Sequence, residues 1–136
     1  TAHNAKQNGL AVEAVEADVF DFLTELDKKK DHSYDYIVLD PPAFTKSGKM
    51  VHEAFRGYKE INYRAMKILP RGGYLATCSC SHFMGEELFV KMVKEAARDA
   101  GVTLRQIEFR QQAPDHPILM TVPETYYLKF FLFQIV

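Results

Sequence analysis

Apolar positions recur along this chain with two different periods, and the switches between them mark its elements. Val19, Phe22, Leu23 and Leu26 share one helical face, and Asp18 just before them offers a side-chain cap. That spacing predicts a helix over about Val19–Lys30. Phe55, Tyr58, Ile61, Ala65 and Ile68 do the same over about His52–Leu69, with Arg56, Lys59, Tyr63 and Lys67 on the opposite side. A third helix is predicted over about Glu86–Ala100, acidic at its positive end and stopped by Gly101. Apolar runs predict strands at Tyr34–Leu39, Tyr74–Ser79, Val102–Arg110 and Tyr126–Val136, and weak alternation predicts a short one at Ala11–Ala17. Thr1–Asn8 has the pattern of a helix end, stopped by Gly9. Loops are expected from Asp40 to about Met50, at Pro70-Arg71-Gly72-Gly73 and at Ala113-Pro114-Asp115-His116-Pro117.

Strands alternating with helices predict an α/β fold with a Rossmann-like, doubly wound and mostly parallel sheet. The last two strands, close in sequence, are the expected antiparallel pair. There are no repeats, low-complexity tracts or internal linkers, so 1–136 belongs to one domain. With 47% apolar residues the chain can build a core. The chain begins with Thr1 inside a polar helical pattern, which points to part of something longer.

The net charge of −1 hides an asymmetry. Nine acidic residues face three lysines between Glu13 and Asp40, whereas seven basic residues face Glu53 and Glu60 between Lys46 and Arg71. A local excess of that kind can steer a polyanion. Cys78 and Cys80 are two apart in one strand-like segment, roughly 6–7 Å at Cα, which disfavours a bond between them. Two free thiols suit a reducing, cytoplasmic setting. No signal peptide or long apolar run argues for a membrane. The histidines His3, His32, His52 and His82 are too scattered for a metal site.

The chemistry gathers at two strand ends. Asp40-Pro41-Pro42-Ala43-Phe44 follows Tyr36-Ile37-Val38-Leu39, and Thr77-Cys78-Ser79-Cys80-Ser81 follows Gly73-Tyr74-Leu75-Ala76. Open α/β sheets bind ligands at such carboxyl ends. A carboxylate, a stiff diproline turn and an aromatic ring suit a flat base, and a neighbouring thiol adds a nucleophile. Together they point to methyl transfer to a nucleic-acid base.

Several stretches carry a family resemblance: His3-Asn4-Ala5 with Asn8-Gly9-Leu10, Asp18-Val19-Phe20, Leu39 to Phe44, and Arg56-Gly57-Tyr58-Lys59-Glu60-Ile61-Asn62. Ser79-Cys80-Ser81, Phe109 to Pro117, Pro123-Glu124 and Tyr127-Leu128-Lys129 complete it. Over nearly its whole length the chain resembles class I S-adenosylmethionine-dependent methyltransferases. The match is closer to one branch of them, the bacterial cytosine-5 methyltransferases of large-subunit ribosomal RNA. The resemblance implies S-adenosylmethionine as cofactor and ribosomal RNA as partner. It also implies a glycine-rich cofactor loop, two further strands and an N-terminal RNA-binding domain. No G-x-G occurs in the chain, and no such strands precede Ala11. The chain is therefore expected to be a partial catalytic domain lacking the first two strands of the sheet. Poor cofactor binding and association between copies through unpaired strand edges are expected with it.

By the same resemblance Cys80 aligns with the family nucleophile, which adds to cytosine C6 so that C5 can take the methyl group. The other reading of Cys80 is a small buried cysteine, and Cys78 is expected to pack in the strand body. Asp40 is expected to hold the cytosine edge and to adjoin the cofactor with Pro41. Asp18 matches the position that contacts the adenine amine, and it also suits a helix cap. Phe44 either stacks on the base or closes the core. Arg56, Lys59, Tyr63 and Arg64 offer phosphate contacts and a stacking surface, or form a solvated face. Arg110 and His116 could close the base pocket. The alternatives to cytosine-5 methylation are a nitrogen-directed RNA or DNA base methyltransferase, and a non-catalytic RNA-binding or dimerisation module.

Overall fold

The computed structural model describes residues 1–44 and 50–136, so the middle of the loop expected from Asp40 to Met50 lies outside the described residues. In chain order the elements are α1 (Ala2–Gln7), α2 (Val19–Lys29), β1 (Tyr36–Leu39), α3 (Val51–Ile68), β2 (Tyr74–Ser79), α4 (Glu86–Ala100), β3 (Leu104–Arg110) and β4 (Lys129–Ile135). A 3-10 turn at Pro123–Thr125 precedes β4.

The helix ends follow from the residues there. Asp18 Oδ1 accepts from the backbone N–H groups of Phe20 and Asp21, satisfying two donors that a helix start leaves open. Gly101 takes φ +71 at the end of α4, a left-handed conformation that glycine adopts without a Cβ clash. α3 and α4 bury Tyr58, Ile61, Ala65, Met66, Phe89, Met92, Val93 and Ala96 against Leu75, Phe131, Phe133 and Ile135 of the sheet.

The sheet order is β1-β2-β4-β3. β1 runs parallel to β2, with Leu39 opposite Thr77. β4 runs antiparallel to both β2 and β3, so Lys129 faces Ser79 and Phe130 faces both Cys78 and Arg110. The expected β3–β4 antiparallel pair is present. The expectation of a mostly parallel sheet is corrected: the sheet is mixed, with β1–β2 its one parallel pair among the described residues. Insertion of β4 between β2 and β3 is the cause, and no pattern within one segment encodes that choice.

The strand expected at Ala11–Ala17 is also corrected. The segment is irregular and exposed, with Leu10, Val12 and Val15 on the surface. A strand is stabilised by its ladder partner, and none of the four strands pairs with this segment. The last strand is shorter than its aromatic run, because 126–128 form a stretch without ladder pairing after the turn at Pro123–Thr125.

Candidate active site at the strand ends

The register of the sheet assembles the site. Leu39 opposes Thr77 in parallel, so Asp40 comes level with Cys78 as the two strands end. The Cys78 thiol donates to Asp40 Oδ1 at 3.2 Å and to the Leu39 carbonyl at 3.3 Å. Burial, together with the hydrogen bond to the Asp40 carboxylate, pushes the Cys78 thiol up to about 12. Cys78 therefore stays protonated and acts as a donor that holds the carboxylate, which goes beyond the packing role expected for it. Cys80, two residues on, is exposed. The same row across the sheet continues from Cys78 through Phe130 to Arg110, two strand spacings or about 10 Å away.

Asp40 is exposed, while Pro41 behind it is buried. A cleft of about 520 Å³ opens beside them, lined by Asp18, Phe20, Val38, Asp40, Pro41, Pro42, Phe44 and Ile61, among others. Its walls are apolar and two carboxylates stand at its rim. Asp18 uses Oδ1 for both cap bonds, and Oδ2 makes no hydrogen bond among the described residues. Capping and ligand contact are therefore compatible. That donor set, apolar planes with carboxylate acceptors, fits an adenosine group.

Phe44 is half-buried. Its ring meets Tyr58 edge-on at 4.6 Å and lies 6.3 Å from Phe20. A Cβ at position 57 would stand 3.4 Å from the Phe44 ring, an ordinary van der Waals distance, so the ring lies close against α3 at Gly57. Ser79 Oγ donates to the Tyr58 hydroxyl at 3.0 Å and accepts from the Ser81 N–H. Burial pushes the Tyr58 phenol up, so it remains neutral. The Arg56-Gly57-Tyr58 stretch is thus the bed that joins the loop after β1 to the end of β2.

The basic face of α3 is divided. Lys59 Nζ lies 2.7 Å from Asp99 and 3.5 Å from Glu95 of α4, and Asp99 in particular holds the lysine above its ordinary range. Arg64 pairs with Glu60. Arg56 is exposed, with no ion pair among the described residues, and a groove beside it is lined by Lys59, Glu60, Tyr63 and Asp99. Asp99 stands thirteen residues into α4, about 20 Å along the helix from its start, so this groove is separate from the strand-end cleft. Arg110 lies at the strand ends but is paired with Glu108. His116 is exposed, with its ring 6.4 Å from that of Tyr127. No cluster of metal-ligating residues is present among the described residues.

No family model matches the chain. The chain is 45% identical over 129 residues to the ribosomal RNA large subunit methyltransferase I of Aeromonas salmonicida. It is 46% identical over 130 residues to that of Shewanella amazonensis. Each match covers 93% of this chain. The chain is homologous to part of ribosomal RNA large subunit methyltransferase I. It spans about a third of the length of these relatives (32% and 33%). Among solved structures, a putative S-adenosylmethionine-dependent methyltransferase from Streptococcus mutans superposes with a TM-score of 0.81 at 20% identity. That match covers 98% of this chain and 34% of the other. A further neighbour is a putative methyltransferase complexed with SAH, with a TM-score of 0.80 and 35% of its length covered.

These findings correct the functional expectation. It set methylation of cytosine C5 in ribosomal RNA by a cysteine–C6 route against nitrogen-directed base methylation and a non-catalytic RNA-binding or dimerisation module. What the relatives' name states is methylation of large-subunit ribosomal RNA, and it carries neither the covalent route nor the nitrogen-directed and non-catalytic alternatives. No helix among the described residues is long and apolar enough to cross a membrane.

Proposed function

We propose that the protein methylates large-subunit ribosomal RNA, with S-adenosylmethionine as methyl donor. One observation carries this reading: the strand-end cleft with its Asp40-Pro41-Pro42 rim lies in a chain 45% identical to a large-subunit ribosomal RNA methyltransferase. Asp18, Asp40 and Pro41 would hold the adenosine end of the cofactor, whose sulfonium supplies an electrophilic methyl group. Cys80 and Asp40 stand where the acceptor base would enter, with Arg110 two strands away along the same row. Phe44 acts by closing the cleft against Tyr58 and Gly57. The glycine-rich loop, the two further strands and the RNA-binding domain would belong to the part of the relatives that this chain does not match.

The test is transfer of a labelled methyl group to purified ribosomal RNA by the full-length protein. Label is expected on the large-subunit RNA; label confined to small-subunit RNA or DNA would end this reading. Arg56 and Tyr63 are offered as RNA contacts, with Lys59 engaged by Asp99 and Glu95. Accordingly Arg56→Gln should flatten the log–log salt slope of RNA binding by about 0.7 per lost contact, whereas Lys59→Gln should leave it nearly unchanged. Filter binding across a salt series decides between them, and equal slopes for both variants would show that α3 does not discriminate in this way.

A further inference from the structure

The long connection between β3 and β4 is tied to the strand-end site at one point. Lys129 is 1% exposed, and its Nζ donates to the Ser81 carbonyl at 2.5 Å and to the Tyr127 carbonyl at 2.7 Å. The turn that carries Cys80 and the residues just before β4 therefore meet at one ammonium, which is costly to bury unless held in this way. The rest of the connection is bonded outward from that point. The Tyr126 hydroxyl donates to Glu86 of α4 at 2.8 Å, the Leu119 N–H donates to Thr125 Oγ1 at 2.8 Å, and Gln112 Nε2 donates to the Thr125 carbonyl. The His116 N–H closes a turn onto the Ala113 carbonyl at 2.9 Å, between Pro114 and Pro117, whose rings fix their own backbone.

A loop held this firmly nevertheless turns flat and apolar groups to solvent. The His116 ring is exposed and stands 6.4 Å from the half-buried Tyr127 ring, at 84° to it. Edge-on packing leaves at least one face of the imidazole open, whichever ring supplies the edge. Asp115 Oδ2 lies 3.9 Å from His116 Nε2, too far for a hydrogen bond. Further along the loop Leu119, Met120 and Val122 are exposed, and no charged residue occurs from Pro117 to Pro123. An open ring face in an uncharged surface suits the face of a base better than a phosphate. We propose that His116, backed by Tyr127, is a stacking subsite for an unpaired RNA base adjoining the acceptor base. The subsite rests on the reading of the protein as a ribosomal RNA methyltransferase and adds to it a preference for single-stranded RNA at the acceptor. Unpaired bases are recognised by stacking on aromatic side chains, histidine included. Holding one base on His116 takes its neighbour out of the stack, which chemistry on a base requires.

The test is equilibrium binding of a short mixed-sequence RNA, as a single strand and as its duplex, to the full-length protein in mildly alkaline buffer. His116→Ala should weaken binding of the single strand about tenfold, with the salt slope unchanged and duplex binding within about twofold of the parent. His116→Phe keeps a flat ring and should bind the single strand within about twofold of the parent. An unchanged affinity in His116→Ala, an equal loss on the duplex, or no rescue by phenylalanine would overturn the proposal. So would a parent that does not bind the single strand. A flatter salt slope in His116→Ala would overturn it as well, by making His116 a phosphate contact. Because His116 is exposed, both variants are expected to keep the fold, which thermal unfolding of the same samples checks. If the expected binding pattern holds while ribosomal RNA takes up no label, the subsite stands and the functional reading fails.

Discussion

Replacing Asp40 by asparagine is expected to lower methyl transfer to large-subunit ribosomal RNA by about 100-fold or more, with the fold intact. Asp40 is exposed at the end of β1, so its carboxylate is not part of the core. Asparagine keeps the shape and still offers an oxygen to the Cys78 thiol, which donates to Asp40 Oδ1 in the parent. What it removes is the negative charge and the ability to take a proton at the edge of a base. Initial rates at saturating cofactor, compared with thermal unfolding of the same samples, separate this from destabilisation. A loss confined to the apparent cofactor affinity would make Asp40 a binding residue alone. A rate within about threefold of the parent, well short of a general acid–base contribution, would remove it from both roles.

How much of this was legible beforehand depends on what each feature needs. The helix at Val19–Lys29 was legible because its cap, its apolar stripe and its basic last turn are all local. The two strand-end motifs were legible as motifs, and parallel pairing of β1 with β2 is what sets Asp40 beside Cys78. The position of β4 between β2 and β3 was not legible, because strand order depends on which edge a distant segment finds. Nor was the failure of Ala11–Ala17 to form a strand, which turns on a missing ladder partner rather than on its own residues. In the sequence Lys129 stands only as the last residue of the Tyr127-Leu128-Lys129 stretch. Its inward direction follows from its register opposite Ser79, one step beyond what periodicity shows. Cys78 is buried in the strand body as expected, and its thiol also holds the Asp40 carboxylate, a contact hidden from the sequence because Asp40 lies thirty-eight residues away.

The largest stability effect is expected at Phe89. It is fully buried on α4, stacked 5.8 Å from Phe131 of β4 and edge-on to Tyr58 of α3 at 6.0 Å. One ring therefore joins two helices to the sheet directly under the Tyr58–Ser79 contact that supports the strand-end turn. Phe89→Ala should cost about 3–5 kcal/mol, because the lost ring leaves a cavity that Phe131 and Tyr58 cannot both collapse into. Against a total stability of about 5–15 kcal/mol for a domain, that is enough to leave the protein marginal at growth temperature. Phe89→Leu fills most of the space and should cost far less, about 1.5 kcal/mol or below. Urea unfolding at constant slope measures both, and the double variant with Phe131→Leu should fall short of additivity because the two rings share one contact. A cost below about 1 kcal/mol for Phe89→Ala would mean that this ring is not the joint between the helix layer and β4.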